Sequence, residues 1–333
     1  MNKVFIVGNG FDLNLGLETG YPAFYEYYLK QTSPTKVIEK LKDDISKEQF
    51  TTWADLEKGL GIYAANCSKN DFLEILKNIR YHLTAYLKKQ NDQFRYTLSD
   101  SFLNDILIPE RHLDDVLFNK YQAYRTSFFD DRIDEFDIIS FNYTYSLESI
   151  LGIKVRNSIV NIPPMNSRLK SGKLVHVHGI LDNELTMGVN DISQINNDLF
   201  KEDEDILELF VKPEYNDACL NGNNSTCETI INNADVIILF GVSLGESDDK
   251  WWKLIGEQVA KRRCVVISYK YDEKKDVIEE PNMKRRWARS EELRLKKCCG
   301  IEDKSNDQLL GVILVGINKH FFKKPSIIPQ KTK

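Results

Sequence analysis

His178 is the side chain in this sequence best suited to exchange a proton near neutral pH, because a free imidazole titrates close to pH 6.5. It closes the stretch Leu174-Val175-His176-Val177-His178, and Gly179 follows directly. Asn142 closes a second such stretch, Phe136-Asp137-Ile138-Ile139-Ser140-Phe141. A carboxamide there can orient a water or a ribose hydroxyl, or it can tie down a turn. A third group, Gly8-Asn9-Gly10, follows the apolar run Val4-Phe5-Ile6-Val7. Glycines at such a turn let backbone N–H groups approach phosphate oxygens. The last glycine of the usual dinucleotide fingerprint is replaced by Leu13. Asp12 adds a carboxylate that would repel a diphosphate unless it faces a ribose or a water. Gly241-Val242-Ser243-Leu244 makes a fourth turn after Asp235-Val236-Ile237-Ile238-Leu239-Phe240.

Other residues carry weaker signals. His176 and His178 are two apart and can share a strand face, which is also a metal-ligand pattern, with Asp12 as a further ligand. Ser247-Asp248-Asp249-Lys250 reads as a capped helix start, with acids in the first turn and Lys261-Arg262-Arg263 at the far end. Asp55 and Glu57 of Trp53-Ala54-Asp55-Leu56-Glu57 read first as solvated helix charges; the other reading aims a carboxylate at the cleft. Cys67, Cys219, Cys227, Cys264, Cys298 and Cys299 form no C-x-x-C pair, so they are expected to be reduced, structural thiols with no metal.

The elements that must position these residues are legible from periodicity. The runs at 4–7, 136–141, 174–178, 235–240, 264–268 and 310–314 are short and mostly apolar. Such runs predict strands buried on both faces, hence a parallel sheet with flanking helices. Ligands in open parallel sheets sit beyond the carboxyl ends of the strands, where the four turns fall. Between the first two strands, AFYEYYLK, DFLEILKNIRYHLTAYLKKQ and DDVLFNKYQAYRTSFFDDRI carry apolar residues at helical spacing. The expected organisation is an α/β core of residues 1–21 and 133–322, a helical insertion or lid at 22–132, and a loose basic tail at 323–333. Loops are expected at 166–173, 221–225 and 302–308.

The chain of 333 residues is 42% apolar and 29% charged, with a net charge of −5, which argues against a dedicated nucleic-acid surface. No apolar run approaches the roughly 18–20 residues that cross a bilayer. The first residues do not form a signal peptide, so a cytoplasmic location is expected.

Taken together and in order, IVGNGFDLNLGLETGY with FYEYY, then WADLE, SFNYTYSLE, VHVHG and FGVSLGESDDKWW resemble the bacteriophage abortive-infection AbiH family, from residue 4 to about 252. More distantly, the string resembles the sirtuin-type NAD-binding fold. Gly16–Gly20 parallels a second glycine loop of that fold, Asn142-Tyr143-Thr144 its N-x-D strand end, His178-Gly179 its catalytic H-G, and the 241–244 turn its G-T-S-L loop. The chain departs from that pattern in having Thr144 for the acid, for which Asp12 would partly compensate, and in lacking the four-cysteine zinc module.

The resemblance implies a sirtuin-like, Rossmann-type core in which two glycines suffice, because the chain loops over the ribose before a helix begins. It implies NAD+ glycohydrolysis in antiphage defence, with His178 as general base and Asn142 orienting water or ribose. Gly8, Asn9, Gly10 and Phe11 would hold the diphosphate through backbone donors, and Asp12 and Thr144 would lie near the ribose and nicotinamide. Gly241, Ser243 and Leu244 would face the adenosine side. NAD+ is then the substrate, and control by homo-oligomerisation or a phage-derived activator is expected. The insertion would sense or assemble, or simply roof the site. A non-catalytic NAD+ or ADP-ribose sensor, and a metal-dependent hydrolase or nuclease using His176, His178 and Asp12, are the alternatives.

Overall fold

Seven strands form one twisted sheet in the order β3-β4-β2-β1-β5-β6-β7. They are β1 (Asn2–Val7), β2 (Glu135–Ser140), β3 (Ile159–Ile162), β4 (Gly172–His176), β5 (Val236–Phe240), β6 (Val265–Lys270) and β7 (Val312–Ile317). Every pairing is parallel except β3 with β4. The computed structural model describes residues 1–322 except 49–50, 95–97, 129–134, 155–156, 165–169, 171, 182–184, 219–221, 262–263, 271–280, 305–307 and 318–320. The expected basic tail, Cys219, the 132/133 boundary and parts of the three expected loops lie outside the described residues.

The mixed α/β class and the mostly parallel sheet agree with these apolar runs. Alternate residues of each strand enter different cores. Phe5 and Val7 of β1, Ile138 of β2 and Val236, Ile238 and Phe240 of β5 face one side, packed with Phe102, Ile106, Tyr121 and Leu147. These last come from α6 (Asp100–Leu107), α7 (Asp115–Phe128) and α8 (Ser146–Leu151). Val4, Ile6, Ile139, Ile237 and Leu239 face the other side, packed with Ile231, Trp252, Ile255 and Leu295. Those belong to α11 (Asn223–Asn232), α12 (Asp249–Lys261) and α13 (Pro281–Cys298).

A third core stands apart from the sheet. It joins α2 (Tyr21–Tyr28), α3 (Lys36–Glu48), α4 (Leu56–Tyr63) and α5 (Lys69–Gln93) to residues of 181–211, including α9 (Glu204–Phe210). The long α5 starts where Ser68 Oγ accepts from the Asp71 N–H, and buries Phe72, Ile75, Leu76, Ile79, Leu83, Tyr86 and Leu87 at the spacing of one helix face. The segment 22–132 is thus divided: α2–α5 build this third core, while α6 and α7 cover a face of the sheet. Among the described residues no helix is long and apolar enough to cross a membrane.

Three expectations are corrected. The short edge strand β3 was not expected; it is half-exposed and lacks the apolar run of a central strand. Ser247 does not cap α12: Gly245 caps a 3-10 turn at Glu246–Asp248, and α12 follows that turn directly. No loop separates β1 from its helix, because α1 (Asn9–Asn14) begins one residue after Gly8.

The turns after β1 and β5 lie against each other. Gly10 N–H donates to the Gly241 carbonyl at 2.8 Å, and Gly8 N–H to the Phe240 carbonyl at 3.0 Å. A Cβ on Gly241 would stand 2.6 Å from the Gly10 carbonyl carbon, and its φ of +66° is in any case the left-handed region. Gly241→Ala should therefore lower the unfolding free energy by about 2–3 kcal/mol in urea titrations. An unchanged midpoint would show that the two turns do not need this approach.

Candidate functional site

Four neighbouring parallel strands, in the order β4-β2-β1-β5, deliver the residues of the site. Ser140 is registered opposite His176. Asn142 and His178 are therefore each two residues past the same rung, at the carboxyl edge of the sheet. Both line a cavity of about 320 Å³, together with Gly8, Asn9, Asp12, Thr144, Gly241 and Ser243. The helical unit closes it from the other side through Tyr21, Asp55, Glu57 and Leu83. Gly10, Phe11 and Leu244 are not on its wall. Phe11 is instead a core residue, set edge-on against Phe102, Phe240 and Phe322.

The glycine turn differs from the expected phosphate cradle. Gly8 N–H is taken by the last residue of β5 and Gly10 N–H by Gly241 just after it, and Phe11 N–H donates to the Gly8 carbonyl at 2.9 Å. The glycines serve the contact between two turns, and little of the backbone between Gly8 and Phe11 is left to hold an anion.

Asn142 and His178 are each 5% exposed. Neither atom of the Asn142 amide completes a hydrogen bond, although the amide lies close enough to Asp12 to ease its ionisation. His178 Nε2 stands 3.0 Å from Asp248 Oδ1, a contact that favours its protonated form, but neither ring nitrogen completes a hydrogen bond of full geometry. Buried polar groups are almost always satisfied, so two such side chains on one cavity wall are an unusual cost. Phe141 and Tyr143 flank the imidazole, with ring centroids 5.3 Å and 6.3 Å away. Burial and then the Lys212 charge hold the His178 pKa below its ordinary value, against the pull of Asp248. The ring is neutral near pH 7 and able to accept a proton.

His176 does something else. Fully buried, it bonds the Asn142 carbonyl through Nδ1 at 2.7 Å and Glu148 Oε1 through Nε2 at 2.8 Å. Burial lowers its pKa, but the Glu148 carboxylate, the Asn142 carbonyl and Asp12 more than offset this and raise it. With both nitrogens engaged, His176 holds the backbone of Asn142 in place and does not reach the cavity wall. Among the described residues no group of three or more His, Cys, Asp and Glu side chains is arranged to hold a metal ion.

Asp12 accepts from Thr144 Oγ1 and from Ser146 Oγ, each at 2.6 Å. A carboxylate from α1 is thus held against Thr144 and Ser146. Burial lifts the Asp12 pKa to about 6, with the two hydroxyls opposing the rise.

Lys212, at the start of α10 (Lys212–Ala218), was not foreseen. Its Nζ meets Glu57 Oε2 at 2.9 Å and the Ser247 carbonyl at 3.2 Å, both buried, and Asp248 Oδ1 at 3.0 Å, partly buried. Burial pushes Glu57 upward despite Lys212. Asp248 is held well below the carboxylate range despite its burial, by Lys212 and His178. Asp55, read first as a solvated charge, caps α4 by accepting from the Glu57 and Lys58 N–H groups at 3.0 Å and 3.1 Å. For WADLE, the reading that aims a carboxylate at the cleft is the one the geometry matches. No sequence signal marked Lys212, whose partners lie far away in the chain.

Two predictions follow from these charges. The Asp12 carboxyl binds its proton more tightly folded than unfolded, with a pKa of about 6 against 3.8. Its ionisation therefore costs stability, by about 3 kcal/mol, above the folded value, and that cost vanishes as pH falls below the unfolded one. Asp12→Asn should stabilise the fold at pH 8, with the gain shrinking between pH 6 and pH 4; a loss at pH 8 would contradict this. Lys212→Met leaves Asp248 and Glu57 buried without their cation. It should cost about 3–5 kcal/mol in chemical unfolding and let the His178 titration, followed by NMR, move upward. An unshifted His178 would show that Lys212 does not set its charge.

No curated protein gives a significant match to this sequence. A family model described as "Bacteriophage abortive infection AbiH" matches residues 4–269, which carry all the cavity residues named above. The match spans most of the chain, and with it the whole cavity wall, so the protein belongs to the bacteriophage abortive infection AbiH family.

Proposed function

We propose that this protein acts in the cytoplasm as an antiphage abortive-infection effector that cleaves NAD+ at the nicotinamide–ribose bond. The observation that carries the reading is the pair of buried side chains, Asn142 and His178, that complete no hydrogen bond of full geometry on one cavity wall. The family description supports the defence role. The reversal of strand order between β1 and β5 supports a Rossmann-type, sirtuin-like core, since ligands in such sheets bind at that crevice.

The chemistry asks little covalent help of the protein. The C1′–N bond breaks with its electron pair going to nicotinamide, which leaves neutral, and a ribosyl cation develops. Asp12, Asp55, Glu57 and Asp248 line the cavity, a charge distribution suited to a cationic ring and a cationic transition state. Water adds to C1′ and gives its proton to neutral His178, while the Asn142 amide orients the water or a ribose hydroxyl. The products are ADP-ribose, nicotinamide and one proton. Loss of NAD+ kills a cell, so a phage-derived activator, and assembly of copies through the helical segment 22–132, are the controls we propose.

Purified protein incubated with NAD+, with and without extract of phage-infected cells, should release nicotinamide and ADP-ribose in equal amounts. His178→Ala and Asn142→Ala should each slow this by about 10²–10⁴-fold while unfolding as the parent does. Because the His178 pKa is depressed, the rate should stay level as pH falls to 6.5 and decline only below it. Wild-type protein that releases no nicotinamide under either condition contradicts the proposal. NAD+ that protects the protein from heat yet stays intact for hours favours the sensor instead.

A further inference from the structure

We infer that Arg294, on α13, is the phosphate-binding residue at the cavity, an assignment that rests on the nucleotide reading above. Four observations converge on it. The N–H groups of Gly8, Gly10 and Phe11 in the glycine turn are spent on Phe240, Gly241 and the turn itself. The cavity wall itself carries Asp12, Asp55, Glu57 and Asp248 but no lysine or arginine among the described residues. Lys212, which touches that wall, is buried and already shared between two carboxylates.

Arg294 is a second cation that touches it. Its Nη2 donates to the carbonyl of Ser243, a wall residue. Its side chain is 45% exposed, and Nη1 lies only loosely by Glu291, at 3.5 Å. The guanidinium has five N–H donors in a planar fork, so one bond to a carbonyl leaves the rest available for phosphate oxygens. The helix holds it there firmly: Cys298 Sγ, one turn further along α13, meets the Leu244 carbonyl at 3.7 Å, and Leu244 has a left-handed φ of +54°. Trp252 Nε1 fixes the Gly245 carbonyl at 3.1 Å. A loop held this closely keeps Ser243 and the guanidinium in one geometry. Arg294 also lies beyond residues 4–269, so the match to the family does not include it.

A purely structural strap would make the same contact with Ser243, and the test must separate the two. Arg294→Gln keeps an N–H donor for that carbonyl and removes the charge; Arg294→Lys keeps a charge without the fork. Affinities for ADP-ribose and for adenosine, which has no phosphate, are measured by calorimetry on the full chain, so no turnover is needed. We expect Arg294→Gln to weaken ADP-ribose by about tenfold and leave adenosine unchanged, with Arg294→Lys in between. Equal ADP-ribose affinity in Arg294→Gln, or an equal loss for adenosine, overturns the assignment alone. Wild-type protein that binds neither compound overturns the nucleotide reading and the assignment with it.

Discussion

One rung of the sheet decides where this protein can do chemistry. Ser140 of β2 pairs with His176 of β4, and two residues further on the chain leaves the sheet at Asn142 and His178. Neighbouring strands lie about 4.8 Å apart, so the register alone sets these two side chains side by side at the same level. His176 then fixes the geometry, since its imidazole ties the Asn142 carbonyl to Glu148. A slip of one residue would turn both side chains to the other face. The structure bears the cost of leaving an amide and an imidazole buried with no completed hydrogen bond, which is rare unless something else is meant to complete them.

Around that pair the electrostatics are uneven. Among the described residues four carboxylates line the cavity, and Lys212 is buried between two of them. The carboxylates differ in state: Asp248 is charged against Lys212, while burial lifts Asp12 and Glu57. The carboxylates on the cavity wall suit positive charge in a ligand, and Arg294, bonded to the Ser243 carbonyl on that wall, is the residue inferred above to meet negative charge. A cationic ring on a ribose that carries phosphate has this same division.

Much of this was legible in the sequence, for a physical reason. Strands covered on both faces must be apolar throughout, so Val4–Val7 and Val236–Phe240 declared themselves, and the turns after them had to lie on one edge. β3 did not, being short, half-exposed and paired on one side only. The glycines at 8, 10 and 241 were visible, but their use was not: an approach of two turns and an approach to a phosphate require the same missing Cβ. Lys212 was silent because its meaning comes from Glu57 and Asp248, 155 and 36 residues away. Asp12 illustrates a middle case. Its type was noted, and the contact with Thr144 that explains it spans 132 residues.

The central claim is that one cavity holds the ribose of one nucleotide between Asn142 and His178. A crystal structure of the His178→Ala protein with NAD+ addresses it most directly. The account predicts ribose oxygens within about 3 Å of the Asn142 amide and the pyridinium ring beside Phe141 and Tyr143. Nucleotide bound elsewhere, or an Asn142 amide turned away to a partner within the protein, would contradict it.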